Sequence, residues 1–370
     1  MHANLQFKDE HMRQLLFERG EAAFERPGAV GKQHSACEGR LAIWNPSAFE
    51  ADAVFTYSNA GFLLFIIVFK LITQSLTSAI GPPMSRERYV IVGLAKTGTT
   101  AVAMTLRNTL RIAGFCMEPH DLAAIEAEAS DRLIVKILFD HWVDRAQQLR
   151  EFLCNASNGP APTTIIVVRD PRDEAISRLH YLAYNYFSTR PTTDEDRAAW
   201  VDIFRQKEAA PQRVGLIDMQ RQIIDRFGAG FLITRHVYES YLRFVDDILT
   251  KNDKPAHFLR YEDYVARTIP RGPLQALLSG SRDVGAAFQR VHRRGSSGDW
   301  HTFLTDDDLT TINGVCEAFL RRFGYPLGRD SDRATPSEAI SHSTGSEYVE
   351  RLITEARRDY HLQQRNTATE

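Results

Sequence analysis

Eight consecutive residues carry the clearest chemistry in this sequence: Gly93-Leu94-Ala95-Lys96-Thr97-Gly98-Thr99-Thr100. Two glycines allow a tight turn, and the lysine and threonines supply a cation and hydroxyls. At the start of a helix, such a loop aims backbone N–H groups and the positive end of the helix dipole at solvent, which suits an anion. Two later segments hold cations fit for the same task. Arg169 and Ser177 offer a guanidinium fork and a hydroxyl, groups that both donate to a phosphate dianion. Arg293-Arg294-Gly295-Ser296-Ser297-Gly298-Asp299-Trp300 adds two guanidiniums on a glycine-serine loop, with an aromatic of the kind that is usually anchored. Each segment also has a plainer reading. They are a strand–helix turn capped by Gly and Thr, a surface Arg-Asp-Pro-Arg-Asp turn with internal ion pairs, and a flexible Gly/Ser loop.

The elements that must position these residues follow from periodicity. Tyr89-Val90-Ile91-Val92 is a short apolar run ended by Gly93 and predicts a buried strand. Val102, Ala103, Leu106 and Leu110 then recur at helical spacing, with Gly114 as the expected stop. The spacing predicts strands over 89–92, 133–138, 163–168 and 256–260, and helices over 100–112, 173–187, 213–227 and 235–250. Such alternation predicts an α/β fold, a central parallel sheet flanked by helices. Gly93 and Gly98 have Walker A spacing, but that motif needs Lys then Ser/Thr after its second glycine. Here Thr99-Thr100 follow and Lys96 lies inside the loop, which counts against ATP or GTP hydrolysis. A P-loop kinase or NTPase remains the rival reading of this loop.

Lys96-Thr97-Gly98-Thr99-Thr100 resembles the 5′-phosphosulfate loop of sulfotransferases that use 3′-phosphoadenosine 5′-phosphosulfate, PAPS. Arg169 and Ser177 resemble that family's 3′-phosphate pair. The segment from Arg293 resembles its late loop, usually Arg-Lys-Gly-x-x-Gly-Asp-Trp, with Arg294 as the departure. Leu259-Arg260-Tyr261-Glu262-Asp263 is similar to a further family segment, read here as structural. The resemblance runs in family order from Arg86 to about Leu327. It implies a P-loop nucleotide-kinase-like sulfotransferase fold. It also implies a donor site made by Ala95, Lys96, Thr97, Gly98, Thr99, Thr100, Arg169, Ser177, Arg293, Arg294 and Gly295. The implied reaction is in-line transfer of a sulfuryl group from PAPS to a hydroxyl or amine on a glycan, lipid or small metabolite. It leaves 3′-phosphoadenosine 5′-phosphate, PAP, and requires no metal. Lys96 would stabilise the leaving phosphate. A non-catalytic PAP-binding scaffold of the same fold is the other alternative.

The acceptor must lose a proton, which calls for a general base. Lys136 matches the lysine of the Lys-Thr-His stretch of cytosolic members, but Leu138 stands where their histidine would be. Glu118, in Phe115-Cys116-Met117-Glu118-Pro119, resembles the glutamate of the carbohydrate and heparan-type enzymes. His141, Asp140 and His120 stay open beside it. The plainer readings are satisfied histidines, and a helix-capping acid before Leu122. Ala101 replaces the tryptophan that packs on adenine in cytosolic members. That role would pass to an aromatic among Tyr181, Tyr184, Tyr186 and Phe187, or to one near Phe231.

Composition bounds the rest. The 370 residues are 43% hydrophobic and 25% charged, as in a soluble globular protein. Lys plus Arg number 45 and acids 47, a formal charge of −2, which argues against a dedicated nucleic-acid binder. Four scattered cysteines without a CxxC pair fit a reducing compartment and neither a disulfide framework nor a zinc site. Three parts are expected: an N-terminal extension over 1–83, a sulfotransferase domain over 84–327, and a polar tail over 328–370 with a short amphipathic helix. The extension holds an apolar segment at 60–72, interrupted by Lys70. It reads as a packed helix, as a marginal membrane anchor, or as part of an over-extended frame whose natural start is Met84. The expected location is cytoplasmic, with membrane association through 60–72 as the variant. The stretch from Asn185 to about Arg213, rich in charge, Thr and Pro, is read as part of an acceptor cleft or lid, or as core.

Overall fold

The computed structural model describes residues 86–154, 161–231, 233–251, 256–283, 297–328, 340–342 and 344–367. The segment at 60–72 and the residues Arg293, Arg294 and Gly295 lie outside these. No helix among the described residues is long and apolar enough to cross a membrane.

Strands β1 (Glu87–Gly93), β2 (Gly114–Met117), β3 (Arg132–Leu138), β4 (Thr163–Val168) and β5 (Ala256–Arg260) form one parallel sheet in the order β2-β3-β1-β4-β5. Helices α1 (Thr99–Leu110), α2 (Leu122–Glu126) and α3 (Ala146–Cys154) alternate with the first strands. The chain continues through α4 (Pro171–Thr189), α5 (Asp194–Ala209), α6 (Leu216–Phe227) and α7 (Arg235–Lys251) before β5. After it come α8 (Tyr261–Ala266), α9 (Pro273–Leu277), α10 (Trp300–Phe303), α11 (Asp306–Arg322) and α12 (Ser346–Thr367).

The period of two along each strand splits the core between the two faces of the sheet. Val90, Val92, Leu133, Val135, Ile137, Ile166 and Val168 are buried on one side with residues of α4, α7 and α11. Tyr89, Ile91, Ile134, Ile165 and Val167 are buried on the other against α1 and the tyrosines of α8. Because β1 is central, the loop that leaves its C-terminal end emerges between the two helical layers. In open parallel sheets that is where ligands bind.

Three expectations change. Gly114 does not stop a helix. Arg111, in the left-handed region, closes α1, and Gly114 opens β2. A Cβ at Gly114 would lie 2.5 Å from the carbonyl oxygen of Arg132, so only glycine lets β2 begin this close to β3. The stretch after Asn185 is largely α5, started by a capping box between Thr193 and Asp196. Its Trp200 and Phe204 are buried, so this part is core rather than lid. In the tail, α12 spans 22 residues and packs along α4 and α5, with Val349, Leu352, Ile353 and Ala356 buried.

Candidate active site

The loop from β1 to α1 is closed by its own residues. The Thr97 hydroxyl donates to the Leu94 carbonyl at 2.7 Å and the Thr97 N–H reaches the same oxygen at 3.3 Å. Gly98 is the N-cap of α1 with φ of 90°, and the Tyr261 ring lies where a Cβ would go. No side chain caps α1 and no acid lies in its first turn. The N–H groups that open this helix therefore have no anionic partner among the described residues, and face outward as an anion site. Gly98→Ala combines a strained backbone with a clash against Tyr261. It should cost at least about 1–3 kcal/mol of stability from the backbone alone, read as a lowered midpoint in chemical denaturation.

Lys96 sits in the loop with φ of 68°. Its ammonium lies 3.7 Å from the centre of the Tyr181 ring on α4. Arg169, just past β4, is buried and donates from Nη1 to the Lys96 carbonyl at 2.9 Å. Its guanidinium stacks 5.0 Å from the Tyr261 ring centre, and its buried Nε has no hydrogen-bond partner among the described residues. Burial, and then the like charges of Lys136, Arg169 and Arg178, push the Lys96 ammonium down to about 7, with Glu118 partly offsetting them. The like charges around the Lys96 ammonium thus outweigh the offset from Glu118. A bound anion relieves that repulsion and satisfies the orphaned Arg169 N–H.

The Arg169–Asp173 segment is not a surface turn. Asp170 caps α4 by accepting the Arg172 N–H at 3.0 Å, and takes the Arg172 guanidinium at 2.8 and 2.7 Å. Arg172 is fully buried and stacks 3.7 Å from the Trp300 ring centre. Asp173 accepts the N–H groups of Gly298 at 2.6 Å and Trp300 at 3.2 Å. Burial holds the Asp173 carboxyl up to about 7, although Arg169 pulls it down. The end of the late glycine-serine segment is therefore fixed onto the start of α4. Ser177 lies further along α4, half-buried.

Tyr261-Glu262-Asp263 is structural, as expected. Tyr261 supports Gly98, and Glu262 accepts the Asp170 N–H and the Tyr325 hydroxyl, each at 2.9 Å.

The base candidates line the ends of β2 and β3. Glu118 follows β2 with φ of 54°, its N–H donating to the Lys136 carbonyl at 2.8 Å. A non-glycine residue held in the left-handed region is uncommon, and such strain gathers at functional sites. The Glu118 carboxylate pairs through Oε1 with the buried ammonium of Lys136, and remains 34% exposed. The side chain is thus partly accessible from solvent. His120 and His141 are both exposed, with ring centres 4.7 Å apart. Asp140 has both oxygens engaged, Oδ2 by the Ala95 N–H at 2.6 Å and Oδ1 by Arg178 at 2.7 Å. Leu138 ends β3, half-buried.

Of the aromatics expected near adenine, Tyr184 is buried and donates to Asp359 at 2.8 Å, and Phe187 is fully buried. Tyr186 packs against Phe187, Trp200 and Phe227. Tyr181 is 39% exposed and faces Lys96. The Asp140 and Asp173 contacts were not foreseen from the sequence.

A family model described as a sulfotransferase domain matches residues 86–271, half of the chain. A comparison with curated proteins found no match.

Proposed function

The chain belongs to the sulfotransferase domain family, and on that premise we propose that its donor is PAPS and its acceptor a hydroxyl or amine of a small molecule or glycan. The observation that carries this reading is the uncapped N-terminus of α1 with Lys96 in its loop, an ammonium opposed by burial and by the like charges of Lys136, Arg169 and Arg178. The loop N–H groups, Lys96 and the threonines would take the 5′-phosphosulfate. Arg169, Ser177 and the segment containing Arg293, Arg294 and Gly295 would take the 3′-phosphate.

The step follows from these roles. Glu118 accepts the proton of the acceptor hydroxyl or amine as that oxygen or nitrogen attacks sulfur in line. The bond between sulfur and the bridging oxygen breaks, and its electron pair stays on the 5′-phosphate of PAP. Lys96 and the N-terminus of α1 stabilise that charge. Lys136 holds Glu118 in place. The test is transfer of label from [35S]-PAPS to a panel of glycans, lipids, phenols and amines. Label on an acceptor supports the reading, and a protein that hydrolyses ATP and transfers no label opposes it.

A pH signature follows. In the free site Lys96 loses its charge above about 7, and a bound phosphate dianion favours the charged form. Binding PAP at pH 8 should therefore take up a proton. Affinity should be greatest at about pH 6–7, where the phosphates are dianions and Lys96 is charged, and fall above it by up to about tenfold per pH unit. Calorimetry in buffers of different ionisation enthalpy reads the uptake, and Lys96→Met should abolish it.

A further inference from the structure

We infer that Asp140, Arg178 and Glu174 form a partly buried positioning chain that holds the phosphate loop in its receiving shape through the Ala95 N–H. Asp140 lies on the turn Phe139–His141 directly after β3. Its Oδ2 accepts the Ala95 N–H at 2.6 Å and its Oδ1 accepts Arg178 Nη2 at 2.7 Å. Arg178, one turn beyond Glu174 on α4, donates through Nε to Glu174 Oε1 at 2.8 Å. Glu174 is fully buried. One guanidinium thus bridges two carboxylates, and one of these carboxylates bridges α4 to the loop.

The consequence for the loop is geometric. The Lys96 peptide unit is gripped from both flanks, by Asp140 at the Ala95 N–H and by Arg169 at the Lys96 carbonyl. Lys96 adopts a left-handed backbone between these two grips, with its ammonium carried toward Tyr181. A loop that must meet an anion with several N–H groups at once gains from being held before the anion arrives. Ala95 then acts through its bond to Asp140 and does not aim its N–H at the donor. Asp140, with both oxygens taken, is a positioning residue rather than a base. Asp140 also pairs with Arg178, one of the cations that oppose Lys96, so its charge tempers that repulsion without occupying the anion's place.

Asp140→Asn keeps the shape but offers one acceptor oxygen where two are needed, so either the Ala95 or the Arg178 bond is lost. In hydrogen–deuterium exchange, peptides covering 94–100 should exchange about tenfold faster than in the parent protein. The Kd for PAP and the KM for PAPS should rise about tenfold, the scale of one lost charge-assisted hydrogen bond. The acceptor KM should stay unchanged. The control is Asp359→Ala on α12, which removes the acceptor of the Tyr184 hydroxyl. It should lower thermal stability and leave loop exchange as it is. If Asp140→Asn does not fold, Arg178→Lys carries the same test, since a lysine cannot span both carboxylates. Unchanged exchange of 94–100 in the folded variant overturns the inference. The affinity readout rests on the donor reading above, whereas the exchange readout does not. A parent protein that ignores PAP while the variant's loop exchanges faster counts against the donor reading and still supports the positioning chain.

Discussion

Replacing Lys96 by methionine should lower the turnover of bound PAPS by about a thousandfold, the scale of losing one preorganised group that meets charge as it develops. The effect should fall on kcat more than on PAP affinity. Ground-state binding is shared with the N-terminus of α1 and Arg169, whereas charge on the bridging oxygen appears only in transfer. The same change should raise the melting temperature. Burial and the charges of Lys136, Arg169 and Arg178 oppose the Lys96 ammonium in the free protein, so removing it relieves a cost of folding. Single-turnover transfer from [35S]-PAPS and a thermal melt check both halves. A variant that is slow and also less stable would point to a structural lysine.

Glu118→Gln is expected to reduce turnover by about a hundredfold or more, as for loss of a general base. Glutamine keeps an oxygen near Lys136, so the strained backbone at Glu118 and the order of the β2–β3 edge should survive. PAP affinity should be nearly that of the parent protein. Unchanged turnover would move the base to His141 or His120, which stack on the same rim.

Short-range physics made much of this molecule readable in advance. The β-branched runs of β1 and β4 and the glycine-bracketed loop are local signals, and each strand named from sequence is present within two residues. β2 escaped because Gly114-Phe115-Cys116-Met117 is short and begins with a residue that usually ends helices. α5 escaped because its charges masked the apolar stripe, although Thr193-x-x-Asp196 was a usable start signal. In the site, the loop's composition announced an anion. What holds it did not show, because those partners are remote. Ala95 and Asp140 are 45 positions apart, and Asp173 and Gly298 are 125 apart. Contacts at such separations exist only once the parallel sheet has brought the strand ends together. The acid pairing with Lys136 was equally hidden, since Glu118 comes to it only across the β2–β3 register.

The donor assignment is tested most directly by calorimetric titration of the parent protein with PAP, adenosine 5′-phosphate and ATP–magnesium under one buffer. The arrangement of Lys96, Arg169 and Ser177 predicts that PAP binds at least about a hundredfold more tightly than adenosine 5′-phosphate, since the second phosphate adds charge-assisted hydrogen bonds. It also predicts that ATP–magnesium binds more weakly than PAP. Tight binding of ATP–magnesium with no heat from PAP would contradict it.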